Sequence, residues 1–115
     1  MKKPRTRNQV IADFRKMFPN VFVREGEEWS GQKAYSNQIW TGFGEASADD
    51  LRIMDYHNHR IHPKLKKYLM TTGRNVWFEW HDAGTLFFIV EPNFPVRSLL
   101  NREPPYYFSC VEDYR

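Results

Sequence analysis

The sequence contains a single cysteine, Cys110, and this scarcity excludes several kinds of site. One thiol forms neither an internal disulfide nor a cysteine-based zinc site, which is typical of a protein from a reducing compartment. No hydrophobic run approaches the roughly 18 residues that a membrane span requires, and no apolar signal segment follows the basic N-terminus. We therefore expect a cytoplasmic protein that has no membrane partner.

Motifs of common enzyme classes are also missing. Gly42 and Gly44 lack the third glycine and the following helix of a dinucleotide-binding fingerprint, and the chain has no Gly-Lys-Ser/Thr phosphate loop. The serines do not lie in a nucleophile elbow. The sequence therefore favours a binding module over an enzyme.

Aromatic residues are abundant instead. They make up 17% of the 115 residues, as 4 Trp, 6 Tyr and 9 Phe, within a hydrophobic fraction of 41%. Large rings remove much apolar surface from water when they are buried, so a packed core is expected. The length suits one domain of ordinary size.

Two helices are predicted by their end signals. Thr6 and Gln9 have the spacing of a capping box, and the apolar residues that follow recur at three- and four-residue steps until Pro19. Pro63 suits the first turn of a second helix over residues 63–72, and Gly73 is expected to form its left-handed C-terminal cap.

Alternating and continuous apolar runs predict the strands. The strongest signal is a hairpin whose turn is Asp82-Ala83-Gly84. Its first strand alternates, which predicts one polar face, and its second is continuously apolar, which predicts a central position covered on both faces. Residues 51–57 suit a strand better than a helix that starts at Ser47. The predicted strands are residues 21–25, 38–43, 51–57, 76–81, 86–90 and 106–111.

This order of elements predicts an α+β fold. Runs of strands between helices favour a mainly antiparallel sheet of about four or five strands backed by two helices. Residues 1–92 are expected to form the compact domain. Residues 93–115, which prolines interrupt, are expected to form a C-terminal extension that packs on it.

The net charge of +3 is the sum of strongly unequal segments. Residues 1–23 contain six bases and one acid, and residues 60–74 contain five bases and no acid, so each segment has a charge of +5. Residues 24–59 and 75–115 have charges of −4 and −3. The molecule is therefore polarised rather than uniformly basic.

Each basic segment lies on or beside a predicted helix, within residues 2–16 and 60–74. If the two helices pack side by side, these segments form one surface that attracts phosphates, whereas solvated helix faces are the simpler interpretation. The candidate anion-binding or nucleic-acid-binding residues are Lys2, Lys3, Arg5, Arg7, Arg60, Lys64, Lys66, Lys67 and Arg74.

Some aromatic residues fall in predicted loops or on polar strand faces. Rings in such places stack on nucleic-acid bases or bind protein partners. The candidates are Trp29, Tyr35, Trp40 and Trp77.

Three histidines lie within six residues and suggest an alternative. On a strand, His57 and His59 point to the same face, and His62 and Asp55 lie close enough in sequence to complete a zinc or manganese site. Arg60 lies within the group and opposes a bound cation. The spacing matches no established metal motif, and surface or capping roles are the simpler interpretation.

These observations lead to two hypotheses of function. The first is a small non-enzymatic module, such as an accessory protein of a bacterium or mobile element. It would bind a protein or a nucleic acid, which the sequence does not separate, through a polarised basic and aromatic surface. The alternative is a metal-dependent nuclease or other hydrolase that uses His57, His59 and His62.

Overall fold

In the described part of the chain, two helices pack on one face of an antiparallel sheet, and the predicted α+β class is confirmed. The computed structural model describes residues 3–29, 31, 33–45 and 52–91. The helices are α1, Arg7–Met17, and α2, Pro63–Met70. The strands are β1 (Val23–Glu25), β2 (Gln38–Thr41), β3 (Met54–Asp55), β4 (Arg60–Ile61), β5 (Val76–Asp82) and β6 (Thr85–Val90), and 3-10 turns occupy Gly26–Glu28 and Lys33–Tyr35.

The predicted capping box forms the start of α1. The Thr6 hydroxyl accepts the backbone N–H of Gln9, and the Gln9 side chain accepts the N–H of Thr6 at 2.9 Å. Both bonds satisfy donors that have no partner within the helix. Val10, Ile11 and Phe14 are buried, so the three- and four-residue spacing marks the side of α1 that faces the core.

The central position of β6 is confirmed. The sheet has the order β1-β2-β6-β5, with antiparallel pairing throughout. Leu86, Phe87 and Phe88 of β6 are each at most 1% exposed, so both faces of this strand are covered. Since successive side chains of a strand point to opposite faces, β6 supplies apolar surface to both sides of the sheet.

The first half of β5 does not have the predicted polar face. Val76, Trp77 and Phe78 are all buried, and less buried side chains begin at Glu79. Alternation identifies which residues share a face of a strand, but it does not show whether that face is covered. The expected exposure of Trp77 is therefore wrong.

The core lies between the helices and the sheet, with Phe88 near its centre. Ring centroids of Phe14, Phe43 and Phe78 lie 4.8, 5.6 and 6.0 Å from that of Phe88, in tilted or edge-on geometries. Such geometries place the positive edge of one ring against the negative face of another.

A short hairpin connects the sheet to α2. The strand predicted over residues 51–57 is present as β3 alone, and β4, which pairs with β3, has no counterpart in the sequence prediction. A two-residue strand is too short to produce a detectable alternation. The predictions for residues 93–115, including a strand over 106–111, lie outside the described residues.

The end of α2 differs from the prediction at Gly73. A positive φ occurs at His59 and Gly31 among the described residues, so the predicted left-handed cap at Gly73 is wrong. The Gly73 N–H donates to the Tyr68 carbonyl at 2.8 Å. A Cβ atom at Gly73 would lie 2.4 Å from Cε2 of Tyr68, so this position needs glycine for close approach to the ring.

We predict that Gly73→Ala destabilises the fold by about 1–3 kcal/mol, because the added methyl group overpacks the buried Tyr68 ring. Chemical denaturation measures the change in the free energy of unfolding. Thr72→Ala, at the exposed neighbouring position, is the control and should have little effect. Equal stability of the two variants would contradict the steric argument.

Candidate anion-binding surface

The two helices are antiparallel neighbours. Lys64, in the first turn of α2, donates from Nζ to the Met17 carbonyl at the end of α1, at 3.3 Å. At the other end, the Arg5 backbone N–H donates to Asn75 Oδ1 at 3.1 Å, and Asn75 Nδ2 donates to the Arg5 carbonyl at 2.9 Å. The start of α1 is thus close to the chain that follows α2, and the two basic segments adjoin.

Asp13 joins the middle of the two helices. Its carboxylate accepts from the Arg5 guanidinium at 2.8–3.0 Å and from the Tyr68 hydroxyl at 2.7 Å. Asp13 is the only acid within Arg7–Met17 and Pro63–Met70. The paired Arg5 compensates its negative charge, so the helical layer has no uncompensated carboxylate.

The outward sides of α1 and α2 have exposed lysines and no exposed acid, and together they are here named the two-helix face. Lys16 is two residues from both Phe14 and Phe18, which is about 200° around the helix from the buried side. Lys67 is likewise two residues from both Leu65 and Leu69, which are buried, so it also points away from the core. The exposed residues that define this face are Asn8, Gln9, Ala12, Lys16, Pro63, Lys64, Lys67 and Met70.

The predicted cations have different roles in the structure. Arg5 pairs with Asp13, and Arg7 pairs with Glu25 and donates to the Gln38 carbonyl, so both arginines hold the fold together. Among the other predicted cations, Lys3, Arg60, Lys64, Lys67 and Arg74 are exposed, Lys66 is half-buried, and Lys2 lies outside the described residues.

Lys16 is missing from the predicted set of site residues, although it occupies the outermost position of α1. The signal that identifies it is helical periodicity, because Lys16 lies opposite the apolar stripe that includes Phe14. Arg15, the residue before it, points to the side and donates to the Val23 carbonyl at 2.7 Å.

The predicted stacking residues do not share the two-helix face. Tyr35 stacks on Phe87 with centroids 4.9 Å apart, and Trp29 lies 5.4 Å from the same ring. Phe87 points away from the helices, because its neighbour Phe88 contacts α1. Trp40 pairs with Phe87 on the neighbouring strand and is half-buried on the same side of the sheet. These aromatic candidates therefore lie on the opposite side of the sheet from the two helices.

Asp55 and the three neighbouring histidines have different local roles in the structure. The Asp55 carboxylate accepts from the Asn58 side chain at 2.8 Å and from the His57 backbone N–H at 3.1 Å, so it closes the turn between β3 and β4. His62 caps α2, with Nδ1 accepting the Lys64 N–H at 3.1 Å. His59 has a φ of 50°, which is the left-handed conformation.

The structure gives no support to a metal site at Asp55, His57, His59 and His62. Among the residues that the structure describes, no group of three or more His, Cys, Asp or Glu side chains is placed to bind a metal ion. The His57 ring instead packs on Tyr56, and the His62 ring packs on Phe18, at centroid distances of 5.4 and 5.3 Å.

We predict that Tyr68→Phe lowers the free energy of unfolding at neutral pH by about 1–2 kcal/mol, because the variant cannot donate a hydrogen bond to the charged Asp13. Burial and the hydrogen bond to Asp13 raise the pKa of Tyr68 above its ordinary value of 10.0. Above pH 10.0 the unfolded chain loses this proton while the folded protein retains it, so wild-type stability falls as pH rises.

The Tyr68→Phe variant has no proton to lose at this position. The difference between its free energy of unfolding and that of the wild type should therefore shrink above pH 10.0. Denaturation curves at neutral and alkaline pH measure this difference. A constant deficit across this range would show that the Tyr68 hydroxyl is not held protonated in the fold.

Neither a protein-family model, nor a curated protein, nor a solved structure matches this chain. Within the described residues, no helix has both the length and the apolar character needed to cross a bilayer. Function is therefore inferred from the geometry and charge of the molecule's own surfaces.

Proposed function

We propose that this protein is a nucleic-acid-binding module whose two-helix face contacts the phosphate backbone. The observation that supports this proposal is the antiparallel arrangement of α1 and α2, which leaves Lys16, Lys64 and Lys67 exposed on two neighbouring helices. The only acid within these helices is paired with Arg5. The resulting field attracts polyanions and releases their condensed counterions on binding.

An extended polyanion suits this face better than a small anion does. Lys16 and Lys67 are exposed side chains on two different helices, so a small ion bound to either one remains in contact with water. A nucleic acid presents many phosphates, so several weak contacts add together. The exposed lysines lie on two neighbouring helices, which spreads the cations over a broad surface.

A nucleic acid also fits this face better than a protein partner does. Protein interfaces usually have a central group of apolar or aromatic anchors that become buried on binding. On the two-helix face, Met70 is the one large apolar side chain that is exposed among the described residues, at 44%. The exposed side chains around it are mainly polar or cationic.

The expected binding mode is phosphate contact without base stacking. Trp29, Tyr35 and Trp40 lie on the other side of the sheet, and Trp77 is buried. Contacts to phosphates position a protein on nucleic acid but do not read sequence directly. We therefore expect similar affinity for duplexes of unrelated sequence.

We predict that replacing Lys16 and Lys67 together with Glu weakens binding to a random-sequence DNA duplex. The slope of log K against log salt should also become shallower, by about 0.9 for each phosphate that the variant no longer neutralises. Fluorescence anisotropy between about 50 and 200 mM salt measures both effects. Lys64 is retained, because its Nζ also contacts Met17.

Lys33→Glu is the matched control. Lys33 is exposed and lies in the turn that contains Tyr35, away from the two-helix face. This variant should bind the duplex more tightly than the double variant does. Three results would each contradict the proposal: affinity that is indifferent to salt, equal weakening in the control, or equally tight binding of an acidic polypeptide.

A further inference from the structure

The face of the sheet opposite the helices contains a second group of aromatic side chains, here named the aromatic face. Its defining residues are Trp29, Tyr35, Trp40, Glu79, His81 and Phe87. Tyr35 lies nearly parallel to Phe87, with an interplanar angle of 13°. The Trp29 ring stands across this stack and lies 4.5 Å from His81.

Close backbone packing at Gly26 anchors the connection between β1 and β2, which contains Trp29 and Tyr35. A Cβ atom at Gly26 would lie 2.2 Å from the Tyr35 carbonyl oxygen and 2.8 Å from that of Gln38, both of which are backbone atoms. Only glycine permits this approach. Trp29 and Tyr35 are therefore presented by a closely packed segment and remain half-buried.

Four residues that are paired on neighbouring strands form a row across the aromatic face, and this row begins with a cation and ends with a carboxylate. Arg24 pairs with Trp40, Trp40 pairs with Phe87, and Phe87 pairs with Glu79 on successive strands. Side chains directly opposite each other on neighbouring strands share a face. The row therefore reads cation, ring, ring and carboxylate.

The cation of this row is already bound by aromatic rings. The Arg24 guanidinium lies 5.2 Å from the centroid of Phe22 and 5.9 Å from that of Trp40. These are distances at which a cation is attracted to the negative face of a ring. The aromatic face thus accommodates a guanidinium at one end.

In the part of the chain that the structure describes, the carboxylate at the other end of the row has no cationic partner. The Glu79 side chain is half-buried and makes no hydrogen bond or ion pair with the described residues, and His81 is the nearby titratable group that acts on its charge. Burial raises the pKa of Glu79, and the charge of His81 offsets only part of this effect. A half-buried carboxylate without a cation is costly to the fold.

We propose that the Glu79 end of the aromatic face binds a guanidinium group, supplied by an arginine side chain of a partner protein. A guanidinium is planar, donates two parallel hydrogen bonds to a carboxylate and packs against aromatic rings. Glu79 supplies the carboxylate, and His81 with the rings around Phe87 supplies the adjoining surface. An alkylammonium group lacks both the paired donors and the planar surface.

This site is independent of the two-helix face. The two surfaces lie on opposite sides of the sheet, as the contacts of Phe87 and Phe88 show. A nucleic acid bound to the helices leaves Glu79 accessible. Failure of nucleic-acid binding would therefore not affect the test of this proposal.

The test uses three blocked amino acids as probes: the N-acetyl amides of arginine, lysine and citrulline. Citrulline has the shape of arginine without its charge. Chemical-shift changes of the Trp29 indole N–H and the His81 ring report binding to the full chain. The expected result is saturable binding of the arginine derivative and much weaker binding of the other two.

Glu79→Gln removes the charge at nearly constant shape and should weaken binding of the arginine derivative roughly tenfold, as expected when one charged partner is removed. Glu27→Gln is the control, since Glu27 is an exposed acid in the Gly26–Glu28 turn, and it should leave binding unchanged. Equal binding of the lysine derivative, equal weakening in the two variants, or no saturable binding would each overturn the proposal.

Folding of the Glu79→Gln variant supplies a separate prediction. Because the pKa of Glu79 is raised in the folded protein, the stability that its protonated form provides is complete below pH 4.5 and is lost as pH rises through the folded-state pKa. Glutamine is never ionised, so the variant should be more stable than the wild type at neutral pH. Denaturation curves measure this gain, which should diminish on acidification. A loss of stability at neutral pH would contradict a destabilising effect of the buried Glu79 charge.

Discussion

The interaction of Asp13 with Arg5 and Tyr68 connects the fold of this protein to its surface charge. The three groups join the segment before α1, the middle of α1 and the middle of α2 at distances of 2.7–3.0 Å. The same contacts compensate the only carboxylate within the helices. The two-helix face consequently has a positive field, because the acid beneath it is paired internally. A fold that separated α1 from α2 would lose both effects.

Strand β6 separates two sides of the molecule. Phe88 contacts Phe14 on the helical side, whereas Phe87 contacts Tyr35 and Trp29 on the other. Two adjacent residues of one strand thus support two different surfaces, since successive side chains point in opposite directions. This arrangement places the exposed Lys16 and Lys67 on one side and the half-buried rings with the Glu79 carboxylate on the other. The two sides of the sheet differ because successive side chains of its central strand point to opposite faces.

Local signals in the sequence predicted much of the fold. The capping box of Thr6 and Gln9 starts α1 where expected, and the continuously apolar β6 lies inside the sheet. Signals that depend on distant neighbours were less informative. Gly73 is required by the ring of Tyr68 rather than by its own φ, and Trp77 is buried although the strand pattern placed it on a polar face. Strand β3 lies within the strand predicted over residues 51–57, whereas the two-residue β4 was too short for periodicity to reveal.

The sequence by itself determined the charge of each segment, the periodicity of the helices and the types of residue available for binding. The tertiary structure decided which of these residues share a surface. It paired Arg5 and Arg7 with acids, left Lys16 and Lys67 pointing outward, and placed Trp29 and Tyr35 on the opposite side. The physical reason is that helix and strand periods fix directions only within one element. Which element covers which face depends on packing between residues that are far apart in the chain.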